Sequence, residues 1–337
     1  MTAPPLRFAI VGAGMIAGYH RTAIDAHPGA ELAAVVHHDP NRFDAVATAM
    51  GAPCRTLDDV LSDGSIDVLS ICTPSGQHAR QAIAGIAAGK HVLVEKPMAL
   101  SLQSADALIE AAESADRSLG VVLQRRHDPT FSRIKAAVDA NELGELTLGV
   151  LTLPYFRGQA YYDQAGWRGT WALDGGGVLM NQGIHLIDLL VWFMGDPVAI
   201  QAVAETRQRA IEVEDVAAAV LSFAGGAQAT IAATTTAGRG FPHRLELYGT
   251  EGGIQIEGEQ VVRWGLADPS GAPVAPHTPA AAGAAADPRG ISAAGHVAVV
   301  ADFVAAVREG RPPLVDGHEG RRSLAAVIGI YEAADLL

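Results

Sequence analysis

The chain has 337 residues, 49% apolar and 18% charged, with 37 acidic against 24 basic side chains for a net charge of −13. That composition excludes disorder, and the length suits two domains at about 100–200 residues each. An acidic balance argues against nucleic acid and anionic membranes as partners, since both need basic side chains to displace counterions. Two cysteines, Cys54 and Cys72, make neither a disulfide framework nor a CxxC metal site. No apolar run is long enough for a membrane span, and Met1–Arg7 lacks the features of a signal peptide. A cytoplasmic location is expected.

Short continuous apolar runs at Phe8–Val11, Leu32–Val36, Val68–Cys72, Val92–Glu95 and Leu119–Leu123 alternate with helical stretches. Such alternation predicts a parallel sheet covered on both faces, a doubly wound α/β domain of Rossmann type over residues 1–125. After Arg126 the rhythm changes. A helix over Phe131–Asn141, a long strand Leu146–Arg157 and a helix over Gly177–Met194 lead into a series of alternating strands from Val198 to Trp264. This pattern predicts an α+β domain over 126–337, an open-faced, mostly antiparallel sheet with helices on one side. Residues 267–290, rich in Pro, Ala and Gly, read as a mobile surface loop. Two helices, about His296–Glu309 and Gly317–Leu336, close the chain.

Gly12-Ala13-Gly14-Met15-Ile16-Ala17 follows the first strand and opens the first helix. In this GxGxxA pattern the first glycine permits a tight turn, and the second lets the backbone approach a pyrophosphate. The small third residue allows close helix–strand packing. The helix N-terminus adds free N–H groups and partial positive charge. Gly12, Gly14, Met15 and Ile16 are therefore the first candidate contacts of a dinucleotide. NAD binding calls for an acid about 20 residues on. Here that place holds His37-His38, with Asp39 two residues late and more simply read as the cap of the next helix. His37, His38 and Arg42 suit a 2′-phosphate, which tilts the expectation from NAD slightly toward NADP.

Further segments, taken in order, are Cys72-Thr-Pro-Ser-Gly-Gln-His78, Ala88-Gly-Lys-His-Val-Leu-Val-Glu-Lys-Pro97, Trp167-Arg-Gly169, Gly175-Gly-Gly-Val-Leu-Met-Asn-Gln-Gly-Ile-His185 with Asp188, and Val213-Glu-Asp215. Together with the glycine motif they make the chain resemble the glucose–fructose oxidoreductase/inositol dehydrogenase (Gfo/Idh/MocA) family over nearly its whole length. The resemblance implies an NAD(P)-dependent oxidoreductase acting on a carbinol carbon of a sugar, cyclitol, glycoside or nucleotide sugar. It implies association through the second sheet, as a homodimer or homotetramer.

Lys96 stands at the carboxyl end of a strand, where open α/β sheets place their ligands, and an ammonium there can stabilise a developing alkoxide. Pro97 makes a trans turn or, as the resemblance implies, a cis one. Asn181 and His185 lie four apart on a predicted helix, sharing one face, with Asp188 a turn beyond. Histidine titrates near neutrality, so His185 can accept a hydroxyl proton, which makes Lys96 and His185 the expected catalytic pair. Relatives of the inositol-dehydrogenase type carry an aspartate where this chain has Asn181; an amide can orient a hydroxyl but takes no proton.

Arg126, Tyr162, Trp167 and Arg168 are candidate substrate contacts, with packing or a surface ion pair as the alternative for each. Thr73, Pro74, His78, Glu95 and Lys96 join the candidate cofactor residues; the simpler reading has Thr73 and Pro74 shaping a loop and His78 packing. His20 reads as a packing residue. No metal is expected, because His37/His38 and His185/Asp188 lack further ligands. The competing functions are a non-catalytic dinucleotide sensor and a dehydrogenase of a non-sugar substrate such as an aromatic diol.

Overall fold

The computed structural model describes residues 3–267, 272–273, 285 and 292–337. The expected loop over 267–290 thus lies almost wholly outside the described residues. The chain divides into two units, one of residues 1–127 with 292–321 and one of residues 128–291 with 322–337.

In the first unit, strands β1 (Leu6–Val11), β2 (Ala30–Val36), β3 (Cys54–Arg55), β4 (Val68–Ile71), β5 (His91–Glu95) and β6 (Leu119–Val122) form a sheet in the order β3-β2-β1-β4-β5-β6. Every pairing is parallel. Helices α1 (Met15–Asp25), α2 (Phe43–Met50), α3 (Leu57–Ser62), α4 (His78–Ala87) and α5 (Leu102–Ser114) make the crossovers. Local signals set their starts: Thr56 and Asp59 form a reciprocal capping box on α3, and Ser101 accepts the Ser104 N–H on α5. β4 and β6 are buried at every residue and β5 at all but His91, which is why they read as unbroken apolar runs. The strand order reverses between β1 and β4, the switch point where such sheets open a crevice at their carboxyl ends.

The expectation of one continuous second domain over 126–337 is corrected by the return of residues 292–321 to the first unit. The helix Ala294–Glu309 buries Val299, Val300, Phe303 and Val304 in the same core as Phe8, Ile10, Ile24 and Leu93. Phe303 fills the space that a side chain at Gly120 would need, with its ring 2.8 Å from a Cβ placed there. This apolar stripe is indistinguishable in sequence from one that faces the second sheet.

The second unit opens with α6 (Pro129–Asp139), whose cap Asp128 accepts the Thr130 N–H. Its sheet comprises β7 (Leu146–Pro154), β8 (Pro197–Glu205), β9 (Val216–Phe223), β10 (Gln228–Thr234), β11 (Arg244–Gly249), β12 (Gly252–Glu257) and β13 (Gln260–Gly265), in the order β13-β12-β11-β7-β10-β9-β8. The β7–β10 pair is parallel and the others antiparallel. Burial alternates along β9 and β10: Ala217, Ala219, Leu221, Ala229, Ile231 and Ala233 face inward. Leu148, Val203 and Val220 remain exposed. Between β7 and β8 lie α7 (Gln159–Asp163) and α8 (Ile184–Met194).

The helix expected over Gly177–Met194 is not uniform. After Gly177, the six residues Val178–Gly183 wind as a wider π turn before α8 begins. Gly183 allows this, because a Cβ there would lie 2.9 Å from the Val178 carbonyl oxygen. Such turns recur at functional sites, where they re-aim side chains.

Candidate active site

The glycine loop of the first unit has the shape a dinucleotide needs. Gly12 has φ +105°, and a Cβ there would meet the Cys72 carbonyl oxygen at 2.8 Å, so glycine is required for the chain itself. Gly14 is different: its φ is −80° and a Cβ would meet nothing within 4 Å. The chain leaves this volume open directly before the N-terminus of α1, which has no side-chain cap. Residues with free N–H groups around an open space fit a diphosphate.

Past β2, Asp39 accepts hydrogen bonds from the Asn41 backbone (3.0 Å) and side chain (2.9 Å), and these hold its carboxyl below the usual range. It caps the short turn Pro40–Arg42, and Arg42 is exposed. His37 Nδ1 lies 3.1 Å from the Asp39 N–H, and its ring stacks on His38 at 4.5 Å.

At the end of β5 the Lys96–Pro97 peptide is cis. Two of the expected cofactor contacts beside it face protein instead. His78 is buried, with Nδ1 2.7 Å from the Pro97 carbonyl oxygen and Nε2 2.8 Å from that of Thr73. Both ring nitrogens thus face protein carbonyls, and burial pushes its pKa down, so the neutral ring donates to one of them. The Glu95 carboxylate is likewise buried among His20, His296 and the Lys96 backbone N–H. Thr73 Oγ1 donates to Gln81 Oε1 (2.6 Å) and Pro74 precedes the turn Ser75–Gln77, so both shape the loop. Arg126, expected to touch substrate, is 1% exposed and ion-paired with Glu319. A guanidinium enclosed in this way is a packing element.

In the second unit, Asn181 lies in the π turn and His185 in the first turn of α8, both half-buried. Asn181 Nδ2 donates to Asp174 Oδ1 (2.6 Å), while Gln182 Nε2 donates to Asn181 Oδ1 (3.2 Å). The amide is therefore held in a defined orientation. Asp188 is fully buried and accepts from Ser323, which removes it from the reacting group. Tyr162 is buried with its hydroxyl on Thr235 Oγ1 (3.1 Å), and burial pushes its pKa up to about 12. The neighbouring Tyr161, which residue-type reasoning missed, is the tyrosine that meets the cation. Arg168 lies over its ring at 4.2 Å and over Trp167 at 5.0 Å. Among the described residues no carboxylate pairs with Arg168. A cavity of about 450 Å³ opens beside it, lined by Tyr162, Asp163, Thr170, Ile211 and Glu212 among others.

The glycine triplet is held from below by Glu214. Its carboxyl accepts the N–H groups of Gly177 (2.8 Å) and Leu179 (2.9 Å) and the hydroxyl of Tyr331 (2.9 Å), and burial pushes its pKa up to about 7.

Residues 6–123 match the family model described as "Oxidoreductase family, NAD-binding Rossmann fold", and residues 131–255 match the "GFO/IDH/MocA C-terminal domain". The WlbA dehydrogenase from Bordetella pertussis, solved in complex with NADH and UDP-GlcNAcA, is 32% identical, with 98% of this chain and 97% of that one covered at a TM-score of 0.87. The chain belongs to the GFO/IDH/MocA oxidoreductase family. It is an NAD(P)-dependent oxidoreductase. Among other family members, the inositol 2-dehydrogenase of Rhizobium meliloti (strain 1021) is 29% identical over 76% of this chain and 77% of its own length. The scyllo-inositol 2-dehydrogenase (NAD(+)) of Bacillus subtilis (strain 168) is 28% identical over 74% and 73%. No helix among the described residues is long and apolar enough to cross a membrane.

Proposed function

We propose that this GFO/IDH/MocA protein oxidises or reduces a secondary carbinol of an anionic sugar, with a nucleotide sugar acid as the preferred class. The observation that carries the substrate class is Arg168. Its guanidinium is stacked on Tyr161 and Trp167 and lacks a carboxylate partner among the described residues. A planar cation held this way offers a fork of donors suited to a carboxylate or phosphate. The relative crystallised with UDP-GlcNAcA supports the same class.

Lys96 hydrogen-bonds the reacting oxygen and stabilises negative charge on it, and His185 takes or returns the hydroxyl proton. Asn181, oriented by Asp174 and Gln182, presents its amide to a substrate hydroxyl. The nicotinamide supplies the hydride acceptor or donor, and Gly12, Gly14, Met15 and Ile16 hold the dinucleotide. The cofactor we propose is NAD. Asp39, kept ionised beside the end of β2, opposes a 2′-phosphate, and the WlbA relative holds NADH.

A turnover panel of both cofactors against UDP-GlcNAcA, UDP-sugars and inositols tests this reading by nicotinamide absorbance. UDP-GlcNAcA with NAD should give the highest kcat/KM. Arg168→Leu should raise its KM by about tenfold or more, matching the loss of a charge-assisted bond worth about 1.5–3 kcal/mol, with kcat little changed. Preference for neutral inositols, unaffected by Arg168→Leu, would refute the anionic class.

Association completes the reading. Leu148, Val203 and Val220 lie exposed on one face of the second sheet, where register places them beside Gln228, Ala218 and Thr230. A second copy covers this face in a homodimer or homotetramer, since such apolar area on a soluble chain marks an interface. Sedimentation should show no 34.9-kDa monomer at micromolar concentration, and Val220→Glu should release one. The cytoplasm, where nicotinamide dinucleotides and reduced thiols reside, is the place proposed for the reaction; both cysteines are free.

A further inference from the structure

Glu95 ends β5 and is 6% exposed, yet it carries a carboxylate. Oε1 accepts from His20 Nε2 at 2.9 Å and faces His296 Nε2 at 3.5 Å, while Oε2 accepts the backbone N–H of Lys96 at 3.1 Å. His20 and His296 are 1% and 2% exposed, their rings edge to face with centroids 5.3 Å apart. Behind them, Ser70 Oγ lies 2.6 Å from His20 Nδ1 and is fully buried. Burial works to raise the Glu95 pKa, but the hydrogen bonds from the two imidazoles overcome it and hold the carboxyl well below its ordinary value.

An ionised carboxylate accepts only, so His20 donates to it from Nε2. Its other ring nitrogen, Nδ1, pairs with the Ser70 hydroxyl. A continuous chain results, Ser70, His20 and Glu95, with the Lys96 amide bonded to the far oxygen. It draws on β4, α1, β5 and the helix Ala294–Glu309, all within the first unit. A buried ion network is poor value for stability, because an apolar side chain of similar volume needs no desolvation. What distinguishes this carboxylate is its contact. It holds the peptide of Lys96, which has passed beyond the last ladder pair of its strand, Glu95 with Val122.

We propose that Glu95 is the positioning residue of Lys96: Ser70, His20 and His296 fix the carboxylate, and its second oxygen fixes the lysine backbone from which the ammonium reaches the substrate. This rests on Lys96 being the group that meets the reacting oxygen. His20 and His296 thereby gain a purpose that core packing alone does not require. Glu95→Gln keeps an acceptor for the Lys96 N–H, and a tautomer change in His20 lets it pair with the new amide. Glu95→Leu keeps the volume and removes the acceptor.

The chain has three lysines, Lys90, Lys96 and Lys135, so ¹⁵N-lysine labelling of the full-length protein with NADH bound resolves the Lys96 amide beside two internal controls. In Glu95→Leu the Lys96 amide should exchange with solvent at least about tenfold faster while Lys90, bonded to the Gly85 carbonyl, is unchanged. NADH affinity should stay within about threefold. The kcat for UDP-GlcNAcA should fall about 10²-fold at nearly constant KM, the loss expected from a misplaced group. Glu95→Gln should restore both slow exchange and most of kcat. Unchanged Lys96 exchange in Glu95→Leu, or accelerated exchange with full kcat, overturns the proposal. Should Glu95→Leu fail to fold, Ser70→Ala must accelerate Lys96 exchange several-fold, and no acceleration refutes the chain. If UDP-GlcNAcA is not turned over, the substrate reading fails while lysine exchange still decides whether Glu95 holds Lys96.

Discussion

Lys96→Met is expected to lower kcat by about 10³-fold while NADH binds within a few-fold of its normal affinity. The magnitude is that of removing one preorganised donor from a developing oxyanion, about 10²–10³ in rate. Cofactor affinity should survive because the proposed dinucleotide contacts are the Gly12–Gly14 loop and the open N-terminus of α1, neither of which the Lys96 side chain builds. His185→Ala should cost about 10²–10⁴ in kcat by loss of proton transfer, again with NADH binding intact. Steady-state turnover of the sugar substrate, beside fluorescence titration with NADH, checks both variants. A variant that turns over at the normal rate loses its assigned role, and a non-catalytic sensor would show no turnover to lose.

Gly177→Ala should abolish the folded second unit. A Cβ at Gly177 would lie 1.7 Å from the Glu214 carbonyl oxygen and 2.9 Å from its carboxylate, and the backbone there cannot yield, because Glu214 ties Gly177, Leu179 and Tyr331 together. The cost exceeds the roughly 4–5 kcal/mol that marks an exceptional substitution, against a total stability of about 5–15 kcal/mol. The expected result is insoluble protein, or a Tm lower by at least about 10 °C, since each kcal/mol shifts Tm by about 2–4 °C at this size. Gly14→Ala is the contrast. Nothing in the chain opposes its Cβ, so Tm should hold, but the methyl enters the space a diphosphate needs and NADH should bind about tenfold or more weakly. Equal melting losses in the two variants would disprove this division between a glycine kept for packing and one kept for the ligand.

Much of this was legible beforehand. The apolar runs from Phe8 to Leu123 marked the six-stranded sheet, apart from the two-residue β3, because strands buried on both faces leave no other pattern. The glycine spacing marked the dinucleotide loop, since only a turn into a helix requires it. Side-chain roles were less readable. Arg126, Tyr162 and Asp188 have the chemistry of substrate contacts, yet each is enclosed by Glu319, Thr235 or Ser323. Tyr161 and Tyr162 are adjacent in sequence, and only the direction each takes from α7 separates the one beneath Arg168 from the one in the core.

The sequence by itself determined the fold class and the NAD(P)-dependent oxidoreductase family, because periodicity and motif spacing are local properties of the chain. Tertiary structure alone decided which polar groups are paired. His20, Ser70, Glu95 and His296 are scattered over 277 positions and meet only when β4, β5, α1 and a C-terminal helix pack together. The same holds for the net charge of −13: acidity describes the whole chain, whereas Arg168 on its two aromatic rings is a local cation that no sum of charges reveals. Pairing and burial depend on three-dimensional proximity, and they decide whether a charged side chain holds the fold or remains available to a ligand.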